Sequence, residues 1–325
     1  MNKLPQSTNT HRTHYRSGDI VQVKSAAEIR ESLDSKGNLD GLPFMPEMSK
    51  FCGKRFRVFK RADKICVEEE YYIGVKRLRD AVLLEDVRCA GDAHDGCQRM
   101  CLIFWKEAWL RPAKEGLEGT TSISVQTDKT YGSIDSSITY YCQSTALRQA
   151  TEHMSGWDIR QYARDLMSKS LTPWELMKVL FFGVYNKIAR TTGRSEFGLV
   201  MGEERKTPSV SLGLQKGELV QVKTRSEIAA TLDPSGRNRG LQISYEMLRH
   251  CGKQFRVQSR IDRMILETTG RMKEIHNTVL LQGTACSGIC VRGCARNSHP
   301  MWREAWLTRI NESDSGTATG VSQDT

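Results

Sequence analysis

Soft-ligand residues crowd into two short stretches of this chain of 325 residues, which holds ten cysteines. The first is Cys89, His94, Cys97 and Cys101, followed directly by Trp105-Lys-Glu-Ala-Trp109-Leu110. The second is Cys286, Cys290, Cys294 and His299, followed by Trp302-Arg-Glu-Ala-Trp306-Leu307. Thiolates and imidazoles at such spacing are what zinc takes in a tetrahedral shell, and structural zinc sites fill all four places with protein ligands. Each stretch offers three thiols and one imidazole, in different order.

Superposing the two stretches refines the ligand sets. Cys52 matches Cys251, Cys89 matches Cys286 and Cys97 matches Cys294. Cys101 falls opposite Ser298, and His94 falls opposite Val291, one position from Cys290. The expected ligands are therefore Cys52, Cys89, His94 and Cys97 for one ion, and Cys251, Cys286, Cys290 and Cys294 for a second. Cys101 and His299 are the first substitutes. Two zinc ions per chain are expected, with an iron–sulfur cluster as the alternative. Cys66 and Cys142 have no counterparts and read as small buried hydrophobes. Four protein ligands leave a metal no place for water and hence no catalysis. If Cys52 stood apart and Cys101 were buried, an open place would revive a metalloenzyme reading.

The elements that must position these residues are themselves duplicated. Gly18-Asp-Ile20-Val21-Gln-Val23-Lys recurs as Gly217-Glu-Leu219-Val220-Gln-Val222-Lys, and Cys52-Gly-Lys-x-Phe56-Arg57-Val58 recurs as Cys251-Gly-Lys-x-Phe255-Arg256-Val257. Val82-Leu83-Leu84 returns as Val279-Leu280-Leu281, the spacing having shortened by two residues in the intervening hairpin. A repeat of this length marks two copies of one module, residues 18–112 and 213–310. Alternating apolar residues predict a strand at 20–24 and further strands at 56–59 and 81–84. Ser25 with Glu28, and Thr224 with Glu227, predict capped short helices. A hairpin follows the second strand, and the Trp phrase closes the module. The fold class is mainly β with a helical insert.

Between the modules, residues 113–150 are rich in Thr, Ser and Gly and read as linker. Two helices follow, at 158–168 and from Thr172, where Pro173 and Glu175 complete a capping signal. The second is apolar on nearly every side, carrying Trp174, Leu180, Phe181, Phe182 and Tyr185, with a basic end at Lys187, Arg190 and Arg194. It reads first as a buried hub clamped between the modules. An interfacial membrane helix and a partner-binding helix are the other readings. Residues 1–17 and 311–325 read as flexible tails.

The formal charge of +10 is uneven. Residues 18–112 hold 17 basic and 16 acidic side chains, against 15 and 8 in residues 217–309. The second module could therefore draw an anionic surface such as nucleic acid. No apolar leader and no run of about 18 apolar residues is found, so a cytoplasmic protein is expected, or one peripheral to the inner membrane. No P-loop, dinucleotide fingerprint, HExxH or GxSxG occurs. Glu107 and Glu304, inside the Trp phrases, read as salt-bridge partners. The paired tryptophans read as packing residues.

The two module openings, the Cys-Gly-Lys-x-Phe-Arg-Val phrases and the Trp-Lys/Arg-Glu-Ala-Trp-Leu phrases resemble an uncharacterised bacterial family of duplicated SH3-like, KOW-type β modules with Cys/His metal sites. That family is associated with loci for polysaccharide or secondary-metabolite biosynthesis. The resemblance implies two small barrels, each with a zinc-binding loop inserted between its last strands. The function expected is a non-catalytic scaffold presenting paired modules to a protein partner. A nucleic-acid-binding protein and a biosynthetic metalloenzyme are the alternatives.

Overall fold

The alternation in Ile20–Val23 builds a central strand, with Val21 and Val23 fully buried. It pairs antiparallel with Arg55–Arg61 on one side and Leu110–Pro112 on the other. Arg55–Arg61 continues to Ala81–Arg88, which pairs with Leu102–Lys106. A register shift between Val58 and Lys60 bends the second strand. The second copy repeats this design. Leu219–Val222 lies between Gln254–Arg260 and Leu307–Arg309, and the sheet continues through Thr278–Leu281 to Trp302–Arg303. The same shift recurs between Val257 and Ser259. The protein, described here from a computed structural model covering residues 14–69, 73–114, 134–135, 137–156, 158–194 and 197–310, is mainly β. The expected tails and much of the 113–150 linker lie outside the described residues, although Tyr15 is already buried in the first core.

Local signals place the short elements. Ser25 and Glu28 form both bonds of a capping box on Ala26–Arg30, and Thr224 and Glu227 do the same on Arg225–Ala229. All four tryptophans of the repeated phrases are fully buried. Trp109 donates to Ser32 Oγ at 3.1 Å and Trp306 to Thr231 Oγ1 at 3.0 Å, so they are core residues with satisfied N–H groups. Glu107 meets Arg61, and Glu304 meets Arg260 at 2.9 Å. Glu304 also accepts from the backbone of Gly213 at 3.0 Å, pinning the segment that enters the second copy.

What joins the copies is an exchange of hairpins. Ile65–Glu68 with Ile73–Arg77 leaves the first sheet and lies over the cysteine loop of the second. Arg263–Ile265 with Met272–Glu274 does the converse. Ala295 donates its N–H to Lys64 O at 2.8 Å, and Gln98, its repeat equivalent, donates to Arg263 O at 3.1 Å. Cys66 N–H points at Cys294 Sγ at 3.0 Å, and Ile265 N–H at Cys97 Sγ at 3.4 Å. Such reciprocity is the signature of a two-fold, isologous contact. Near its axis Arg99 meets Glu68 at 2.5 Å and Arg296 meets Glu267 at 2.8 Å, while Glu68 N–H donates to Glu267 at 2.9 Å.

The insert departs from expectation twice. Within the segment read as linker, Gln143–Ala150 is a helix. It is held by the buried side chain of Gln143, which accepts from Phe104 N–H at 2.8 Å and donates to Phe104 O at 2.9 Å, capping the free edge of Leu102–Lys106. The long helix Pro173–Thr191 starts where its Thr172 and Glu175 signal places it. It is not a hub buried on all sides. Val179, Phe182 and Ala189 are buried, whereas Trp174, Met177, Leu180, Phe181, Val184, Tyr185 and Ile188 are exposed. One side packs on the second copy, with Val179 and Phe182 against Ile289 and Tyr245, and the other side is left uncovered. Among the described residues no helix is long and apolar enough to cross a membrane.

Glu267 is fully buried and neutralises Arg296. Glu267→Ala leaves that guanidinium buried without its carboxylate, and a loss of roughly 3–5 kcal/mol is expected. Urea unfolding checks it. Because the cluster belongs to both copies, both sheets are expected to melt together at the lowered midpoint.

Candidate metal centre

The first cysteine loop opens where Ala81–Arg88 ends. Its neck is pinched by Cys89 N–H donating to Cys101 O at 2.8 Å. Inside, His94 N–H and Gly96 N–H both donate to Gly91 O, at 2.9 and 3.1 Å. Gly91 has φ of +78°, and a Cβ there would run into the carbonyl of Cys97. Gly288, its repeat equivalent, stands against Cys294 in the same way. The turn requires glycine on both counts.

Glu47 joins this loop from the short 3-10 helix Pro46–Phe51. Its Oε1 lies 3.2 Å from Cys89 Sγ and 3.4 Å from His94 Nδ1. Ligand atoms of Glu47, Cys89 and His94 all fall within 4.8 Å of one another. Both Glu47 and His94 are buried, and Glu47 Oε2 has no hydrogen-bond partner. A buried, unpartnered carboxylate oxygen beside a thiol and an imidazole is what a cation would satisfy. Burial, reinforced by the charge of Glu47, pushes the Cys89 thiol well up. A bound metal reverses that preference and takes the thiolate.

A small cavity of about 30 Å³ completes the centre, lined among others by Cys89, His94, Cys97, Cys101 and Cys142. Burial pushes Cys97 up to about 11. Cys101 Sγ lies 3.8 Å from Ser144 Oγ, and Cys142 enters from the N-cap of Gln143–Ala150. Of the expected ligands, the fold brings together Cys89 and His94; Cys97 and the substitute Cys101 line the same cavity. The fold does not bring Cys52, which caps the C-terminus of Pro46–Phe51, is half-buried, and has Arg30 as its nearby charge. The short helix turns residue 47 inward and residue 52 away. Glu47 was missed because a lone carboxylate resembles a surface residue. Its signal was the setting, Phe44-Met-Pro-Glu47-Met48, and its recurrence as Glu246-Met247. Thiol, imidazole and carboxylate are all zinc donors. A cation held by Glu47, Cys89 and His94 would tie the short helix to the loop.

The second centre is built differently. Glu246 Oε1 accepts from Ser287 Oγ at 2.8 Å and Oε2 meets Arg249 at 3.1 Å, so no carboxylate oxygen is orphaned. The proximity of Cys286 and Cys290 draws the first thiol down and pushes the second up. Cys294 instead faces Cys66 of the first copy. Cys251 repeats the place of Cys52, apart from the other thiols and near Arg225. His299 also stands apart, in a cleft of about 450 Å³ with Asp86, Arg88 and Asn297. A further group, His14, Asp80 and Glu107, is drawn together at the edge of the first copy, where Arg61 neutralises Glu107.

No protein-family model, curated protein or solved structure matches the chain.

Both ring nitrogens of His299 are buried without partners, and burial, helped by Arg88, holds its pKa down from 6.5 to about 4. The unfolded chain takes this proton near pH 6.5 and the native chain resists it until about pH 4. Stability contributed by the neutral ring is therefore complete above pH 6.5 and is lost as pH falls toward 4. Partial solvent access keeps the loss to about 2 kcal/mol. His299→Gln is expected to flatten this limb of a pH–stability profile measured by denaturant midpoints.

Proposed function

We propose that this protein is a zinc-stapled scaffold whose two SH3-like modules are locked together and present a docking face to a protein partner. The barrel reading is supported by the strand order. Four successive strands are followed by a 3-10 turn, Glu107–Trp109 or Glu304–Trp306, which returns the chain to the edge of the first strand. The observation that carries a structural metal is the buried, unpartnered Glu47 oxygen set beside Cys89 and His94. Cys52 stands apart, yet Glu47 takes the place it was expected to fill, so an open coordination position is not needed to account for the donors.

The docking face is the outer side of Pro173–Thr191. Trp174, Met177, Phe181, Val184 and Ile188 are spaced alternately by three and four residues along it, and all are exposed. That spacing makes a continuous apolar seam of the kind that packs against another helix. Exposed Lys178, 5.3 Å from the Trp174 ring centroid, lies beside it, favouring a partner helix with an acidic edge. The surplus of basic residues in the second copy is less free than its count suggests. Arg260, Arg296 and Arg309 pair with carboxylates, and Arg303 donates to backbone carbonyls of His276 and Arg239.

Two zinc ions per chain are expected by elemental analysis of protein purified without added metal. Cobalt substituted into both sites should show a spectrum that small anions do not alter. An anion-sensitive spectrum would reveal an exchangeable position and overturn the structural role in favour of an enzyme. For the docking face, Phe181→Glu combined with Val184→Glu is expected to leave folding and zinc content unchanged. A photo-crosslinker at Met177 should capture a protein partner in cells, and the double substitution should abolish that capture. Binding of the wild-type chain to anionic phospholipid vesicles, lost in the double variant, would instead make the seam a membrane contact.

A further inference from the structure

We propose that the second metal centre is a four-cysteine zinc site that spans the two modules, with Cys66 of the first copy joining Cys286, Cys290 and Cys294 of the second. This rests on the metal reading above and replaces the fourth ligand that repeat matching suggests, Cys251.

Cys66 sits on Ile65–Glu68, the strand laid over the second cysteine loop. Its backbone N–H lies 3.0 Å from Cys294 Sγ, and its thiol neighbours the same sulfur. The repeat equivalent of Cys66 is Ile265, whose N–H approaches Cys97 Sγ in the first centre and whose side chain lines that cavity. One position in the covering hairpin is thus apolar over one loop and a thiol over the other. The loops differ in the complementary sense. Where the first has Cys101, the second has Ser298; where the first has an unpartnered Glu47 oxygen, the second has Glu246 engaged by Ser287 and Arg249. The second loop therefore supplies three thiols and lacks a fourth donor of its own, and Cys66 is the thiol aimed at it.

The sulfurs stand as two neighbouring pairs, Cys66 with Cys294 and Cys286 with Cys290, and among the described residues no three of them lie within 4.8 Å of one another. A zinc ion draws the pairs together into a tetrahedron, and four thiol protons leave to solvent as the thiolates bind. The resulting centre carries two negative charges. Donors face it, although Arg296 is already paired with Glu267. Arg296 is buried beside Cys294 and donates to Cys66 O at 2.8 Å. Backbone N–H groups point at two of the sulfurs, Cys66 at Cys294 and Gly288 at Cys286, the latter at 3.4 Å. Second-layer donors of this kind orient and stabilise thiolate ligands.

The test uses the full chain and zinc itself. Wild type and Cys251→Ser are expected to hold two zinc ions each, and Cys66→Ser one. On cobalt substitution, Cys66→Ser should lose the stronger part of the thiolate-to-cobalt absorption, because the site with four sulfurs is the one removed. Cys66→Ile copies the residue at the equivalent position and preserves the packing. It is expected to keep the wild-type circular dichroism while also binding one zinc. Retention of two zinc ions and full thiolate absorption in both Cys66 variants would overturn the assignment, as would loss of the second ion in Cys251→Ser. A wild-type chain that binds no zinc would overturn the metal reading itself.

Discussion

Each cysteine loop has a face that its own module cannot cover. The loop is looped out between two strands, carries sulfurs that are costly to leave half-solvated, and has only a five-stranded sheet behind it. The other copy's hairpin provides the cover, one carbonyl accepting from a loop N–H and one N–H directed at a sulfur, on both sides of the axis. This reciprocity brings charged residues inside. Arg99, Arg296, Glu68 and Glu267 are tolerated there because each guanidinium has a carboxylate and each carboxylate is matched in turn. Helix Gln143–Ala150 then fits over the remaining edge, with Ser144 touching Arg296 at 2.9 Å.

Two copies of one backbone hold two different donor sets. The turn at Gly91 and Gly288, the inward carboxylates Glu47 and Glu246, and the sulfurs of Cys97 and Cys294 are common to both. Small differences then decide the chemistry. Ser287 offers Glu246 a hydroxyl, and Arg249 a charge, so the carboxylate of the second copy is neutralised by protein. Asp95 and Gly96 follow His94 in the first loop, whereas Arg292 and Gly293 follow the corresponding stretch of the second, where the candidate donor Cys290 stands one position earlier.

Much of this was legible in the sequence because it is local. Hydrophobic alternation located Ile20–Val23, the capping signals located three helix starts, and repeat matching placed the cysteine loops between the third and fourth strands of each sheet. What escaped depends on contacts far apart in the chain. Cys66 has no repeat partner, and only the exchanged hairpin gives it neighbours. Gln143 acts as a strand surrogate only because an edge is waiting for it. Repeat matching ranked Cys52 and Cys251 highly since they recur, but a residue can recur for its role at the end of a short helix. The long helix looked buried because its composition is apolar all round. Which side is covered depends on how the modules meet, and composition carries no information about that.

The exchanged hairpins also say something about descent. A single copy with such a hairpin has a natural counterpart only in a twin of itself, each closing the other's loop as a symmetric pair. In such a pair every inherited change of ligand appears twice, so both loops must stay alike. Joining the twins in one polypeptide removed that restriction. An isoleucine could become a cysteine, or a histidine a valine, on one side alone, and the two loops were free to diverge in the donors they carry.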